Sequence, residues 1–322
     1  MVAAYFLVLI VGFAALIKGA DMFVDGSASL ARKFNVSGLV IGLTIVALGT
    51  SAPEFAVSTT AALSHSNELA LSNVVGSNIF NLLCVLGFCA MFSPIPISTD
   101  IIKRDFPFSI LVTVAVLLFG GGLAIGGSES RTVGTIGRPE GLLLLAVFLA
   151  YMIFLVKNAK NDPQQETDAD LYADISLKKC VLLMIVGVTL IVAGGQAVVN
   201  SAKSIAYFFG MSETLVGLTI VAVGTSLPEL VTSIVAARKH ENSLAVGNVV
   251  GSNLFNLMFI LGTTAAINPL TVTAELSVNL VFLIFISILT LVFIIKGRKL
   301  NRAEGAVMTM LYFGQVAFSI IS

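Results

Sequence analysis

Apolar residues run in blocks of about 20 along almost the whole chain, with short polar breaks between them, which is the length a helix needs to cross a bilayer. The blocks do not alternate at period two, so they do not read as the strands of a membrane barrel. The pattern predicts ten helices, at 2–33, 39–64, 69–92, 106–127, 139–157, 177–209, 214–237, 243–266, 273–296 and 303–321. The first and sixth are too long for a perpendicular crossing and are expected to tilt or bend. One long polar stretch, 158–176, divides the chain into a five-helix unit at 1–157 and a second at 177–322.

The two units are copies of each other at an offset of 175 residues. Residues 41–62 match 216–237 at fourteen of twenty-two positions, and 73–82 match 248–257 at nine of ten. Because each copy has an odd number of spans, the second must enter the membrane upside down. The expected fold class is an all-α membrane protein of ten transmembrane helices, built as two inverted-topology five-helix repeats. Inverted repeats place a substrate site near the midplane, between the halves.

Composition agrees with a bilayer as solvent. The chain is 57% hydrophobic and 11% charged, and its mean hydropathy is +1.00. Net charge is zero, which gives nucleic acid no electrostatic purchase. The apolar first seventeen residues lack a basic start and a clean cleavage site, so they read as part of the first span. Cys84, Cys89 and Cys180 sit in or beside apolar spans and read as small core residues.

With ten spans, fourteen of the eighteen Lys and Arg fall on one side: Arg32, Lys33, Lys103, Arg104, Lys157, Lys160, Lys178, Lys179, Arg238, Lys239, Lys296, Arg298, Lys299 and Arg302. Only Arg131 and Arg138 fall on the other. The positive-inside rule makes the rich side cytoplasmic. The expected location is the cell membrane, with both termini outside and the 158–176 loop inside.

Candidate chemistry lies where the pattern is broken. Gly49-Thr50-Ser51-Ala52-Pro53-Glu54 returns as Gly224-Thr225-Ser226-Leu227-Pro228-Glu229. Each copy puts a proline and a carboxylate inside an apolar block, and a charge there costs roughly 3 kcal/mol on insertion scales. Pro53 has no N–H for the Gly49 carbonyl and crowds it, so the helix should break or distort near 47–50 and free carbonyl oxygens. Thr50 and Glu54 share a face. Ala222, Thr225, Ser226 and Glu229 repeat the cluster from the opposite direction. The next helix of each half adds Ser77 with Asn81, and Ser252 with Asn256, at i, i+4 spacing; Gly76 and Gly251 beside them permit close helix approach.

Together these residues make an all-oxygen site with two carboxylates. Hard cations want such ligands; Ca2+ takes six to eight oxygens in flexible geometry, whereas Mg2+ prefers a tighter octahedron with waters. No His or Cys lies near the motifs, which argues against zinc or copper. Two carboxylates neutralise one Ca2+ or accept several Na+, and an empty pair of buried charges is strongly unfavourable. A protein that changes sides readily only when loaded is an antiporter. Against this, a membrane proline is often only a kink, and interhelical hydrogen bonding competes with ion ligation as the role of Ser77, Asn81, Ser252 and Asn256. Asp21 and Asp25 read as a local paired cluster with Lys18. His65 and His240 read as helix-end residues without a role.

At these motifs the sequence resembles the sodium/calcium exchanger branch of the calcium/cation antiporter superfamily, across nearly the whole chain. The resemblance implies Na+-driven Ca2+ transport by alternating access, with Ca2+ and Na+ as transported ions, no cofactor and no catalysis. It implies Glu54 and Glu229 as shared Ca2+ carboxylates, with carbonyl oxygens from Thr50 and Thr225. Ala47, Ser51 and Ser77 look like one peripheral Na+ site, and Ala222, Ser226 and Ser252 like its inverted partner. Asn81 matches a ligand of the central position. Asn256 stands where some members carry an aspartate tied to K+ transport, which weighs against K+ dependence. H+/Ca2+ exchange is the runner-up. An intramembrane hydrolase using Glu54 and Glu229 as acid and base is the alternative of another class, but the motifs offer no His or Lys beside their Ser and Thr.

Overall fold

The computed structural model describes residues 2–123, 132–159, 175–211 and 222–321. Most of the 158–176 linker and the first part of the helix expected from 214 lie outside the described residues.

The described residues fold mostly into helices. In order they are α1 (Val2–Lys33), α2 (Gly38–Thr50), α3 (Ala52–Leu63), α4 (Asn67–Phe92), α5 (Phe106–Phe119), α6 (Arg138–Asn158), α7 (Leu177–Phe208), α8 (Ala222–Gly224), α9 (Leu227–Arg238), α10 (Asn242–Ile267), α11 (Ala274–Gly297) and α12 (Arg302–Ile321). Among the described residues, six of these are long and apolar enough to cross a membrane, and the bent pair α2–α3 would make a seventh span. Hydroxyl caps start several of them: Ser37 accepts from the Val40 N–H at 3.4 Å, Ser176 from Lys179 at 3.3 Å and Thr273 from Leu276 at 3.4 Å. The offset of the sequence repeat reappears in the helix ends, since α1 and α7, α3 and α9, and α4 and α10 each begin and end 175 residues apart.

The helix expected over 106–127 ends early, at Phe119. Gly120, Gly121 and Gly122 follow, and the last two take φ of +95° and +81°, a left-handed backbone that stops a helix and suits glycine. The same helix is preceded by a π-turn at Ile101–Asp105, just ahead of Pro107. His65 and His240 are exposed and take φ of +58° and +62° at mirrored helix ends.

α4 and α10 form the centre, 83% and 94% buried over their apolar windows, against 33% for α1 and 28% for α7. The two outer helices pack along each other through a seam of glycines spaced by seven: Gly12, Gly19 and Gly26 on α1, Gly187 and Gly194 on α7. A Cβ on Gly19 would stand 2.8 Å from the Gly187 oxygen, and one on Gly187 would stand 2.8 Å from the Gly19 oxygen. Backbones that close leave no room for any larger residue.

Two short antiparallel ribbons tie the halves together. β1 (Ile95–Pro96) pairs with β4 (Lys299–Leu300), and β2 (Thr132–Ile136) pairs with β3 (Leu270–Thr273). The first strand of each pair comes from residues before the linker and the second from residues after it.

Candidate ion-binding site

The broken helix α2–α3 carries the first motif. A π-turn runs over Gly42–Val46, residues Ala47–Thr50 resume an α-helix, and the break falls at Ser51, where the axis turns by 51°. The expected distortion at 47–50 is therefore displaced to either side of that turn. Pro53 sits in the first turn of α3, where a missing N–H breaks no helical bond. In the second half Ser226 and Pro228 stand in the same relation to α9. The wide π-turns recur in the central helices, at Asn81–Val85 and Phe255–Ile260, and they begin at or beside Asn81 and Asn256. Such insertions cluster at functional sites because they swing side chains off the regular helical register.

Glu54 and Glu229 are both 0% exposed. Each is held by a serine of the opposite half: Ser226 donates to Glu54 Oε1 at 2.9 Å, and Ser51 donates to Glu229 Oε1 at 2.7 Å. Each also receives a weaker bond from the central helix of its own half, Ser77 to Glu54 Oε1 at 3.4 Å and Ser252 to Glu229 Oε1 at 3.4 Å. One oxygen of each carboxylate is thereby occupied. The other, Oε2, is buried and meets no donor among the described residues, and the same is true of Asn81 Oδ1 and Asn256 Oδ1. Four acceptor oxygens, two from each half, are thus buried without a donor among the described residues. Buried acceptors are normally satisfied, and a set of four that only accept is chemically suited to a cation.

The sequence-predicted residues divide as follows. Glu54, Glu229, Ser51, Ser226, Ser77 and Ser252 are joined in one hydrogen-bonded cluster. Asn81 and Asn256 contribute free carboxamide oxygens. Thr50 donates to Asn248 Oδ1 at 3.0 Å and stands 3.5 Å from the Ser252 hydroxyl. Its counterpart Thr225 has a buried hydroxyl with no partner among the described residues. The carbonyl of Ala47 accepts the Ser51 N–H at 3.0 Å and the Thr50 hydroxyl at 3.4 Å. Ala222 opens the short helix α8, and its side chain lies outside the described residues. Close approach is present at Gly251, where a Cβ would meet the Leu43 Cα at 2.7 Å; around Gly76 no described atom comes within 4 Å.

Two sets of asparagines were not singled out from sequence. Asn73 donates to Ser58 Oγ at 2.9 Å and to the Glu54 carbonyl at 3.3 Å, and Asn248 makes the matching bonds to Ser233 Oγ at 2.9 Å and the Glu229 carbonyl at 3.5 Å. They brace the helix turn on which each glutamate rides. Asn78 and Asn253 lie behind Asn81 and Asn256 and bond to them across the halves. The signal for both sets was the repetition of N-V-V-G-S-N itself, which the apolar pattern alone does not explain.

The cluster of Asp21, Asp25 and Lys18 extends further than expected. Lys18 pairs with Asp21 at 3.0 Å, but Lys239, just beyond α9, reaches Asp21 at 2.5 Å and Asp25 at 2.6 Å. Arg32 adds a second tie, to Glu241 at 3.0 Å. Among the described residues no group of three or more His, Cys, Asp or Glu side chains could hold a metal ion, so a cation here would rest on two carboxylates and neutral oxygens.

A family model described as sodium/calcium exchanger protein matches residues 4–157 and 179–321. CaxA of Alkalimonas amylolytica is 39% identical over 315 residues, covering 95% of each chain. The sodium/calcium exchanger MaX1 of Methanosarcina acetivorans is 33% identical over an alignment spanning 100% of this chain and 99% of that one. Among solved structures, the sodium-calcium exchanger NCX_Mj superposes with a TM-score of 0.83 at 31% identity, covering 98% of this chain and 99% of that chain.

Proposed function

This chain belongs to the sodium/calcium exchanger protein family, and from that premise we propose that it is a secondary active antiporter exchanging Na+ for Ca2+ across the cell membrane. The observation that carries the reading is the set of four donor-free acceptor oxygens, Glu54 Oε2, Glu229 Oε2, Asn81 Oδ1 and Asn256 Oδ1. Two carboxylates and two amide oxygens suit one Ca2+, and the serine hydroxyls beside them complete smaller oxygen sets for Na+. The proposed ligands are these groups together with Ser51, Ser77, Ser226 and Ser252 and backbone oxygens near Ala47, Thr50, Ala222 and Thr225.

The proposed architecture is ten spans in two inverted five-helix repeats, with the termini outside and the 158–176 loop in the cytoplasm. Support comes from the helix ends that recur at the repeat offset and from ribbons that pair one half with the other. The sorting of basic residues supports the orientation. An inverted pair of matching motifs explains why one central ion can be reached from either side. Charge balance explains the coupling: the site is neutral with one Ca2+ or with Na+ ions in its place, and a bare pair of buried acids opposes an empty return.

The test is 45Ca2+ uptake into proteoliposomes under an outward Na+ gradient, repeated with K+ and with a pH gradient. Uptake that depends on Na+ and needs neither K+ nor a proton gradient is expected. Glu54→Gln and Glu229→Gln should each abolish it in protein that still folds, because Gln keeps the serine bonds at Oε1 but aims an N–H where Oε2 faced the ion. Ca2+ flux without a countertransported cation, or undiminished exchange in either variant, would overturn the proposal.

A further inference from the structure

Resting on the ion-site reading above, we propose that Asn78 and Asn253 are positioning residues that force Asn81 and Asn256 to present oxygen, and never nitrogen, to the cation. The four asparagines are buried, between 0% and 2% exposed, and bond reciprocally across the two central helices. Asn78 Nδ2 donates to the main-chain carbonyl of Asn253 at 3.2 Å, and Asn253 Nδ2 donates to the main-chain carbonyl of Asn78 at 3.4 Å. A main-chain carbonyl only accepts, so the nitrogen end of each of these two side chains is fixed. Their oxygens must then accept, and they do: Asn256 Nδ2 donates to Asn78 Oδ1 at 3.0 Å, and Asn81 Nδ2 donates to Asn253 Oδ1 at 3.2 Å.

Orientation is thereby relayed from backbone to site. With Nδ2 of each tied to an acceptor on the partner helix, Asn81 and Asn256 keep their nitrogen end on that side, and Oδ1 is left buried without a donor among the described residues. A carboxamide is nearly symmetric in shape, and the wrong face would set two N–H groups against a cation. The relay removes that choice before the ion arrives, so the reorientation cost is not charged to binding. The relay is also crossed: the first half's Asn78 orients the second half's Asn256, and the reverse. Asn78 and Asn253 do not themselves ligate the ion, since both ends of each side chain are already bonded.

The expected signature is a double-mutant cycle read by equilibrium 45Ca2+ binding to purified protein, with monodispersity and ion-free thermal unfolding measured alongside. Asn78→Ala should weaken Ca2+ binding about tenfold or more, the scale of one misdirected hydrogen-bonding group. If Asn78 acts through Asn256, the double variant Asn78→Ala/Asn256→Ala should bind no more weakly than Asn256→Ala alone. The same should hold for Asn253→Ala against Asn81→Ala. A structural role would lower the unfolding temperature and add to the loss in the double variant. Should alanine at 78 or 253 fail to give folded protein, Asn78→Ser and Asn253→Ser carry the same cycles. Additive losses, or wild-type affinity in the single variants, would overturn the relay. Absence of Ca2+ binding by the wild-type protein would overturn the ion-site reading instead.

Discussion

Ser51 and Ser226 each stand three residues before the glutamate of their own half and bond the glutamate of the other. Sequence made the two serines legible as neighbours of a misplaced proline and carboxylate. It did not reveal the exchange of partners, because a repeat offset says which residues are alike, not which ones touch. The roles of Asn73, Asn78, Asn248 and Asn253 are hidden in the sequence for a related reason. Polar residues inside a central helix look alike in sequence whether they face the ion, brace a turn or bond another asparagine, and only their partners separate the roles. The crossed serine bonds predict equal penalties. A hydrogen bond to a charged acceptor is worth about 1.5–3 kcal/mol, so Ser51→Ala and Ser226→Ala should each raise the half-saturating Ca2+ of exchange by about tenfold or more. Full affinity in either variant, measured by 45Ca2+ flux at graded Ca2+, would show that its hydroxyl is incidental.

At the scale of elements, the apolar blocks located the helices well because burial and span length set them, and the structure moved most ends by only a residue or two. The exceptions have local causes. The fourth block runs on through Gly120–Gly122 because glycine has no polar side chain to interrupt it, although its backbone freedom ends the helix. The π-turns at Gly42–Val46, Asn81–Val85 and Phe255–Ile260 have no counterpart in the pattern, since they answer to tertiary contacts around the site. The glycine seam between α1 and α7 was present in the sequence as a spacing of seven, but spacing on one helix does not name its partner. The seam predicts a sharp contrast. Gly19→Ala would place a methyl 2.8 Å from the Gly187 oxygen and 2.8 Å from the Ile191 nitrogen. Overpacking of this kind costs about 1–3 kcal/mol, whereas Gly314 on α12 has nothing within 4 Å of an added Cβ. Thermal unfolding in detergent should fall for Gly19→Ala and hold or rise slightly for Gly314→Ala. Equal behaviour of the two would mean that the helices do not meet at this seam.

Across the whole molecule the halves share the bounds of three helix pairs, α1 with α7, α3 with α9 and α4 with α10, and are unlike in charge. Lys239 bridges Asp21 and Asp25 of α1 to the end of α9, and Arg32 pairs with Glu241 nearby. The positions one repeat away, Ser64, Gln196 and Asn200, are uncharged, and Gln196 and Asn200 bond each other at 3.2 Å. In the proposed topology the ionic ties between α1 and the residues just after α9 fall on the basic side, the one that the sorting of Lys and Arg makes cytoplasmic. In the proposed topology inversion follows from an odd number of spans per half and orientation from the basic residues, and cysteine labelling tests both together. Arg138 and Lys299 are exposed on segments that the ten-span topology puts on opposite sides, while the native Cys84, Cys89 and Cys180 are buried. In a background with those three replaced, Arg138→Cys should react with a membrane-impermeant maleimide in intact cells, and Lys299→Cys only after permeabilisation. The reverse pattern would invert the molecule in the membrane. Labelling of both positions from outside would break the five-span count, and with it the antiparallel relation that lets two copies of one motif face a single ion.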